Sequence, residues 1–194
     1  MNDKALLLAS SSPYRRQLLS RLRLEFTCIS PNCDETPINN ELATDLAARL
    51  ALLKAETIAK LHPQALIIGS DQVVESNGEL FGKPLSHTAA VVQLSKLAGK
   101  IVQFHTSLCL LNAISGQSQQ AIEMVEVKFR PLSQATIEAY LKAEQPYDCA
   151  GAFKSEGLGS ILFESIQSQD PTALIGLPLI RLCQFLENKG IKLV

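Results

Sequence analysis

The run Leu66-Ile67-Ile68 passes without a break into Gly69-Ser70-Asp71-Gln72-Val73-Val74. A short apolar run of bulky residues reads as a buried strand. An aspartate at the carboxyl end of such a strand adds nothing to packing, because an unpaired buried charge is costly. It does stand where open α/β sheets hold their ligands. Asp71 is therefore the first candidate for a general base or metal ligand, and its partners must come from elsewhere in the chain.

Length and charge narrow the classes. With 194 residues and 46% hydrophobic content, one sizeable core can be buried, so residues 1–194 are expected to form a single domain with two lobes. No apolar run approaches the roughly 20 residues of a membrane span. The segment Met1-Asn2-Asp3-Lys4 and the apolar stretch after it are too short for a secretory leader and read better as the approach to a first strand. The five cysteines, Cys28, Cys33, Cys109, Cys149 and Cys183, are odd in number and widely spaced, which points to reduced thiols in a cytoplasmic protein. His62, His87 and His105 do not cluster with them as a zinc site requires. A net charge of −1 argues against a nucleic-acid partner. Locally, Lys4, Arg15, Arg16, Arg21 and Arg23 face only Asp3 and Glu25, an excess that suits an anionic small molecule or an ordinary solvated helix face.

Strands and helices alternate. Strands are expected at 5–9, 26–30, 65–74, 101–114, 121–129 and 161–166. Ser12-Pro13 opens a first helix, because serine is a favoured cap and proline fits the first turn. Thr44 is expected to cap a long helix reaching Leu61; Ser86 caps one that Gly99 ends, Ser133 caps one to Glu144, and Pro178 opens the last, which Gly190 stops. Asn77-Gly78 is a hairpin signal with Leu80-Phe81 returning. The expectation is α/β: a mixed twisted sheet flanked by helices, two lobes around a central cleft.

At 100° per residue, Leu46, Leu50, Leu53, Ile58 and Leu61 share a face of the long helix with Ala43, Ala47 and Ala51. Asp45–Arg49 and Glu56–Lys60 fall in i,i+4 register on the other face. Lys54 lies in the middle of the apolar arc, where snorkelling is awkward, and is expected to point into a cleft toward an anion. Ser10-Ser11-Ser12-Pro13-Tyr14-Arg15-Arg16 joins a strand to a helix N-terminus, where free N–H groups, the Ser10 and Ser12 hydroxyls and the Arg15 guanidinium suit phosphate oxygens. Gly78-Glu79-Leu80-Phe81-Gly82-Lys83-Pro84 has the wrong spacing for a P-loop, yet Lys83 can still reach a phosphate from its turn. Asp34-Glu35 follows a strand and could join Asp71 around a hard divalent cation. Glu156 sits in the Gly-rich stretch Ala150-Gly151-Ala152-Phe153-Lys154-Ser155-Glu156-Gly157, as a loop acid with close backbone on either side.

Taken in order, these motifs resemble the Maf family of nucleotide pyrophosphatases, in its YceF-like branch, over nearly the whole chain. The resemblance implies a Maf/ITPase-like fold with a deep cleft, often in a homodimer. It implies hydrolysis of a nucleoside triphosphate to monophosphate and pyrophosphate with a divalent metal, Mg²⁺ or Mn²⁺. Asp71 matches the family's proton acceptor. Tyr14, Gln72 and Glu156 match three positions tied to substrate choice, where the sister branch for dTTP and UTP usually has Arg, Thr and Gln. This chain follows the branch acting on 7-methyl-GTP, except that Tyr14 stands where Trp is common.

The chemistry agrees with that expectation. N7-methylation makes guanine cationic, and an aromatic face attracts a cation by roughly 0.5–2 kcal/mol. The carboxylate of a buried Glu156 would accept from the paired donors on the guanine edge, and Gln72 would add a further hydrogen bond near Asp71. Glu35 and Asp71 are the expected metal ligands, with Lys54, Lys83 and Arg15 neutralising the triphosphate. Two alternatives remain: a pyrophosphatase of dTTP/UTP or broader type, and a non-catalytic nucleotide-binding regulator of septum formation.

Overall fold

The structure is a computed structural model and describes residues 5–193. Residues 1–4, with Asp3 and Lys4 of the basic stretch and the reading of a leaderless start, lie outside the described residues. Among the described residues, seven strands form one sheet. β1 (Leu6–Ala9), β2 (Thr27–Ile29) and β3 (Leu66–Ser76) run parallel. β4 (Glu79–Phe81), β5 (Ile101–Asn112), β6 (Ser118–Phe129) and β7 (Phe163–Gln167) each pair antiparallel with their predecessor in the sheet. The order is β2-β1-β3-β5-β6-β7, with β4 beside the far end of β3.

Alternation along the strands fixes what each face carries. One face holds the helix α2 (Ala43–Ala59), whose Ala51, Ala55 and Ile58 pack with Leu7, Ile67 and Cys109. The opposite face holds two groups of helices. α1 (Pro13–Ser20) and α5 (Leu179–Glu187) bring Leu18, Leu19, Leu182 and Leu186 onto Leu8, Ile68, Leu108 and Leu110. α3 (His87–Leu97) and α4 (Gln134–Glu144) bring Leu94, Leu97, Ile137 and Tyr140 onto Phe104, Val125 and Val127. On β5 the two cores meet at Thr106, whose hydroxyl donates to the Ala173 carbonyl at 2.9 Å. The cavity lies between α1 on one side and the segment after α4 on the other, and the expected mixed α/β architecture is present. No helix among the described residues is long and apolar enough to cross a membrane.

Local chemistry explains most boundaries. The Ser12, Ser86 and Ser133 hydroxyls each accept from a backbone N–H three residues on, as caps do. Asn77 and Gly78 both take positive φ, 52° and 79°, as a tight β3–β4 hairpin requires. Four expectations need correction at α2. Thr44 does not cap it: the helix begins at Ala43 after Leu42, because the chain enters through Asn40 at φ 62°. Arg49 does not pair with Asp45: its guanidinium meets the Glu41 carboxylate at 2.6 and 2.8 Å and also donates to the Thr36 carbonyl. Leu61 is not on the packed face, since α2 ends at Ala59 and Leu61 is exposed. The Glu56–Lys60 pairing is likewise absent among the described ion pairs. β7 starts two residues later than expected because a 3-10 turn, Leu158–Leu162, takes Ile161 and Leu162.

Candidate active site

β3 delivers its side chains to two sides. Gly69 faces α2 so closely that a Cβ there would stand 2.1 Å from the Ala51 carbonyl oxygen. Asp71, two residues on, faces the same way and meets Lys54, which α2 brings in from above. The Lys54 ammonium donates to Asp71 Oδ1 at 2.5 Å and to Glu35 Oε2 at 2.8 Å, and both Lys54 and Asp71 are buried. Lys54 thus points inward, as its position in the apolar arc required. Glu35 reaches it from the loop after β2, and Arg49 secures that loop to α2 through Glu41 and Thr36. The paired guanidinium and the Ile38 N–H hold the Glu41 carboxyl down at about 2. Asp34 takes no part: its carboxylate accepts from the Thr36 N–H and hydroxyl at 2.9 and 2.6 Å.

The other side of β3 is tied to the 3-10 turn Pro171–Ile175 and its left-handed exit at Gly176, φ 119°. The Ser70 hydroxyl and Arg15 Nε both donate to the Gly176 carbonyl, at 2.9 and 2.8 Å. Burial pulls Arg15 below its ordinary value while Asp71 and Glu35 push it back up; a guanidinium stays charged under such opposition. Gln72 Nε2 donates to the Ala173 and Leu174 carbonyls and the Thr106 hydroxyl at 2.9, 3.1 and 3.0 Å. Its amide nitrogen is therefore spent inside the protein, and Gln72 can offer a ligand only its oxygen, as an acceptor. Ser10 Oγ accepts from the Ser12 N–H and Ser12 Oγ from the Arg15 N–H, at 3.1 and 3.3 Å. Each hydroxyl keeps its proton free to donate.

Ser10, Ser12, Arg15, Glu35, Lys54, Asp71 and Gln72 line one cavity of about 720 Å³, together with Tyr14, Lys83 and Glu156. That volume suits a nucleotide-sized ligand. Lys83 stands exposed and without an ion-pair partner among the described residues. Its turn is held by Gln93 donating to the Gly82 carbonyl at 3.1 Å and by the Leu85 N–H donating to Tyr147 at 2.9 Å. Glu156 is also exposed, bonded only to the Ser155 hydroxyl at 3.2 Å. The expectation of a buried Glu156 is thus corrected. Its loop is clamped from α4 instead, where the Glu144 carboxylate accepts from the Leu158 N–H at 2.8 Å and the Tyr140 hydroxyl from the Lys154 N–H at 3.0 Å.

Two further cavity residues were given no role by the sequence reading, although Lys154 lies in the Gly-rich stretch itself. Asp148 precedes the Gly-rich loop and accepts from the Tyr14 hydroxyl at 3.3 Å. Lys154 places its ammonium 5.9 Å from the centroid of the Tyr14 ring. Both depend on α1 and the loop after α4 meeting across the cleft, which no local spacing announces.

Among the described residues no group of three His, Cys, Asp or Glu side chains is placed to hold a metal ion. The donor set at hand is two carboxylates, each with one oxygen on Lys54 and one free of it. A hard divalent cation commonly takes one or two carboxylates and completes its shell with phosphate oxygens and water. The donor chemistry of these two carboxylates fits a cation of that kind.

The sequence of residues 5–189 matches the model of the Maf-like protein family. The chain belongs to the Maf family. It is 54% identical over 187 residues to a 7-methyl-GTP pyrophosphatase of Pseudomonas savastanoi pv. phaseolicola, covering 96% of this chain and 97% of that protein. It is 48% identical over 192 residues to a protein of the same name from Albidiferax ferrireducens, covering 99% and 96%. Among solved structures, the Ham1 protein of Staphylococcus aureus shares the fold of this Maf chain at a TM-score of 0.55, with 17% identity over 96% of this chain and 100% of that one. The HAM1 protein of Coxiella burnetii superposes equally well, at 0.55 and 15% identity over 95% and 99%.

Proposed function

We propose that this Maf-family chain hydrolyses 7-methyl-GTP to 7-methyl-GMP and pyrophosphate, keeping a modified nucleotide out of nucleic acids. One observation carries the reading: Arg15, Lys54, Glu35 and Asp71 meet in a nucleotide-sized cavity, in a chain about half identical to proteins of that name. Arg15, Lys54 and Lys83 neutralise the triphosphate, and the Ser10 and Ser12 hydroxyls donate to its oxygens. The Asp71 oxygen left free by the bond of Lys54 to Oδ1 is the one available both to the attacking water's proton and to a cation, so Asp71 serves as base or as metal ligand. Leaving pyrophosphate keeps its counter-charges throughout, so most of the rate gain is electrostatic and positional.

Mg²⁺ or Mn²⁺ would be held by Glu35 and Asp71 with phosphate oxygens. When bound it supplies charge neutralisation along the polyphosphate and a more acidic water. Tyr14 offers the ring face for the base, Glu156 accepts from its N1–H and N2–H₂ edge, and Gln72 adds an acceptor. The reading includes a cytoplasmic enzyme, in keeping with five free thiols, and a homodimer, in keeping with the exposed Ile122 and Met124 on β6.

Pyrophosphate release measured across 7-methyl-GTP, GTP, UTP and dTTP, with and without Mg²⁺ or Mn²⁺, tests it. The expected result is metal-dependent turnover with 7-methyl-GTP preferred. Preference for UTP or dTTP would move the chain to the sister branch, and binding without release would make it a regulator.

A further inference from the structure

The outer part of the cavity carries a charge that phosphoryl chemistry has no use for. Asp148 lies exposed in the loop after α4 and receives the Tyr14 hydroxyl at 3.3 and 3.4 Å on its two oxygens. That hydroxyl stays protonated: burial raises it most, and the Cys149 thiol and the Asp148 charge raise it further. Burial pushes the Cys149 thiol up to about 11, so the thiol adds no charge of its own. The result is an aromatic face with a carboxylate fixed at its rim.

This corner already draws a cation. The Lys154 ammonium stands 5.9 Å from the Tyr14 centroid, at the outer reach of an attractive contact with an aromatic face. Its carboxylate partner is Glu144, at 3.7 Å. Asp148 and Glu156 line this part of the cavity beside Lys154, whose own charge is already matched by Glu144. Neutral guanine needs one carboxylate for its N1–H and N2–H₂ donors and gains nothing from a second. A carboxylate at this place favours a positive base over a neutral one.

We propose that Asp148 is a specificity-determining residue: its carboxylate, aimed by the Tyr14 hydroxyl, supplies the counter-charge that favours a cationic purine over a neutral one. Lys154 is the internal cation that such a base displaces from the Tyr14 ring. The proposal rests on 7-methyl-GTP as substrate, and it adds a residue that acts on the charge of the ring rather than on its hydrogen-bonding edge.

The test is the ratio of kcat/KM for 7-methyl-GTP to kcat/KM for GTP, measured first in the wild type and then in three variants. Asp148→Asn keeps the shape and removes the charge; it is expected to lower the ratio about tenfold by losses on 7-methyl-GTP alone. Lys154→Met removes the competing cation and is expected to raise the ratio. Tyr14→Phe keeps the ring and frees the carboxylate, and is expected to lower the ratio less than Asp148→Asn. A structural role for Asp148 would depress both substrates alike, and an unchanged ratio in Asp148→Asn overturns the proposal. If the wild type itself shows no preference for 7-methyl-GTP, the substrate reading fails and this inference falls with it. If the wild type prefers 7-methyl-GTP and Asp148→Asn keeps that preference, this inference alone is wrong.

Discussion

Lys54 is bonded to two carboxylates of unequal burial. Its Asp71 partner is enclosed, with a side chain 9% exposed, whereas Glu35 is half open to solvent at 51%. Breaking a buried ion pair costs most when it strands a charge. Asp71→Asn strands none, since Lys54 keeps Glu35 and the amide oxygen can still accept its proton. Lys54→Met removes the ammonium bonded to both carboxylates and leaves only the Arg15 guanidinium nearby to offset them. We expect Asp71→Asn to lose turnover by about 10²-fold and only about 1 kcal/mol of stability. Lys54→Met should lose about 3 kcal/mol. Urea denaturation of both variants, beside a pyrophosphate-release assay, checks the ordering. Equal stability losses would deny Lys54 its central place, and near-native turnover in Asp71→Asn would remove Asp71 from the chemistry. That Lys54, inside an apolar arc, and Asp71, at a strand's end, would face one cavity was legible in the sequence; their direct bond was not. Glu35 was legible as an acid after a strand, although nothing in the sequence separated it from Asp34, which folds back onto Thr36.

The α2–β3 contact sets the spacing of that pair. Gly69 is required there by proximity, not by its φ: an added Cβ would meet the Ala51 carbonyl oxygen at 2.1 Å and the Ala55 Cβ at 3.1 Å. The first obstacle is backbone in the middle of a helix, so α2 itself must shift. Gly69→Ala is expected to cost about 3 kcal/mol, as forced overpacking does. It should also lower turnover, because the same helix carries Lys54 toward Asp71. A variant whose urea midpoint and rate both match the wild type would show that α2 moves freely over the sheet. Elements such as α1, α3 and the β3–β4 hairpin could be read from sequence because their signals are local: Ser12, Ser86 and Asn77-Gly78 act on neighbours within three residues. The start of α2 could not. It is decided by Asn40 in a left-handed turn and by Glu41 reaching Arg49, eight residues away. The same contact took Arg49 from Asp45, since a two-point bond to a guanidinium outcompetes an exposed i,i+4 pair.

Across the whole molecule the cavity gathers charges of both signs from separate elements. Its buried part sets Arg15 and Lys54 against Glu35 and Asp71, and its outer part sets Asp148 and Glu156 beside Lys83, Lys154 and the Tyr14 ring. The three positions linked by resemblance to substrate choice sit on three separate elements: Tyr14 on α1, Gln72 on β3 and Glu156 in the loop after α4. Their convergence follows from the topology, because β1 hands the chain to α1 beside β3 and the second lobe folds back over the same cleft. Sequence spacing alone gives no hint of it. Exchanging them together, Tyr14→Arg, Gln72→Thr and Glu156→Gln, puts a cation where the ring was and removes the acceptor for paired purine donors. The expected outcome is a preference moved from 7-methyl-GTP toward dTTP and UTP. The exchange at 72 also has a structural cost, since threonine cannot reach the Ala173 and Leu174 carbonyls that the Gln72 amide now satisfies; losing such bonds at a half-buried site costs about 1–3 kcal/mol. Kinetics on the four nucleotides should therefore be read beside a melting curve. A folded triple variant that still favours 7-methyl-GTP would mean that the base is selected elsewhere in the cavity, with Asp148, untouched by the exchange, the first residue to examine.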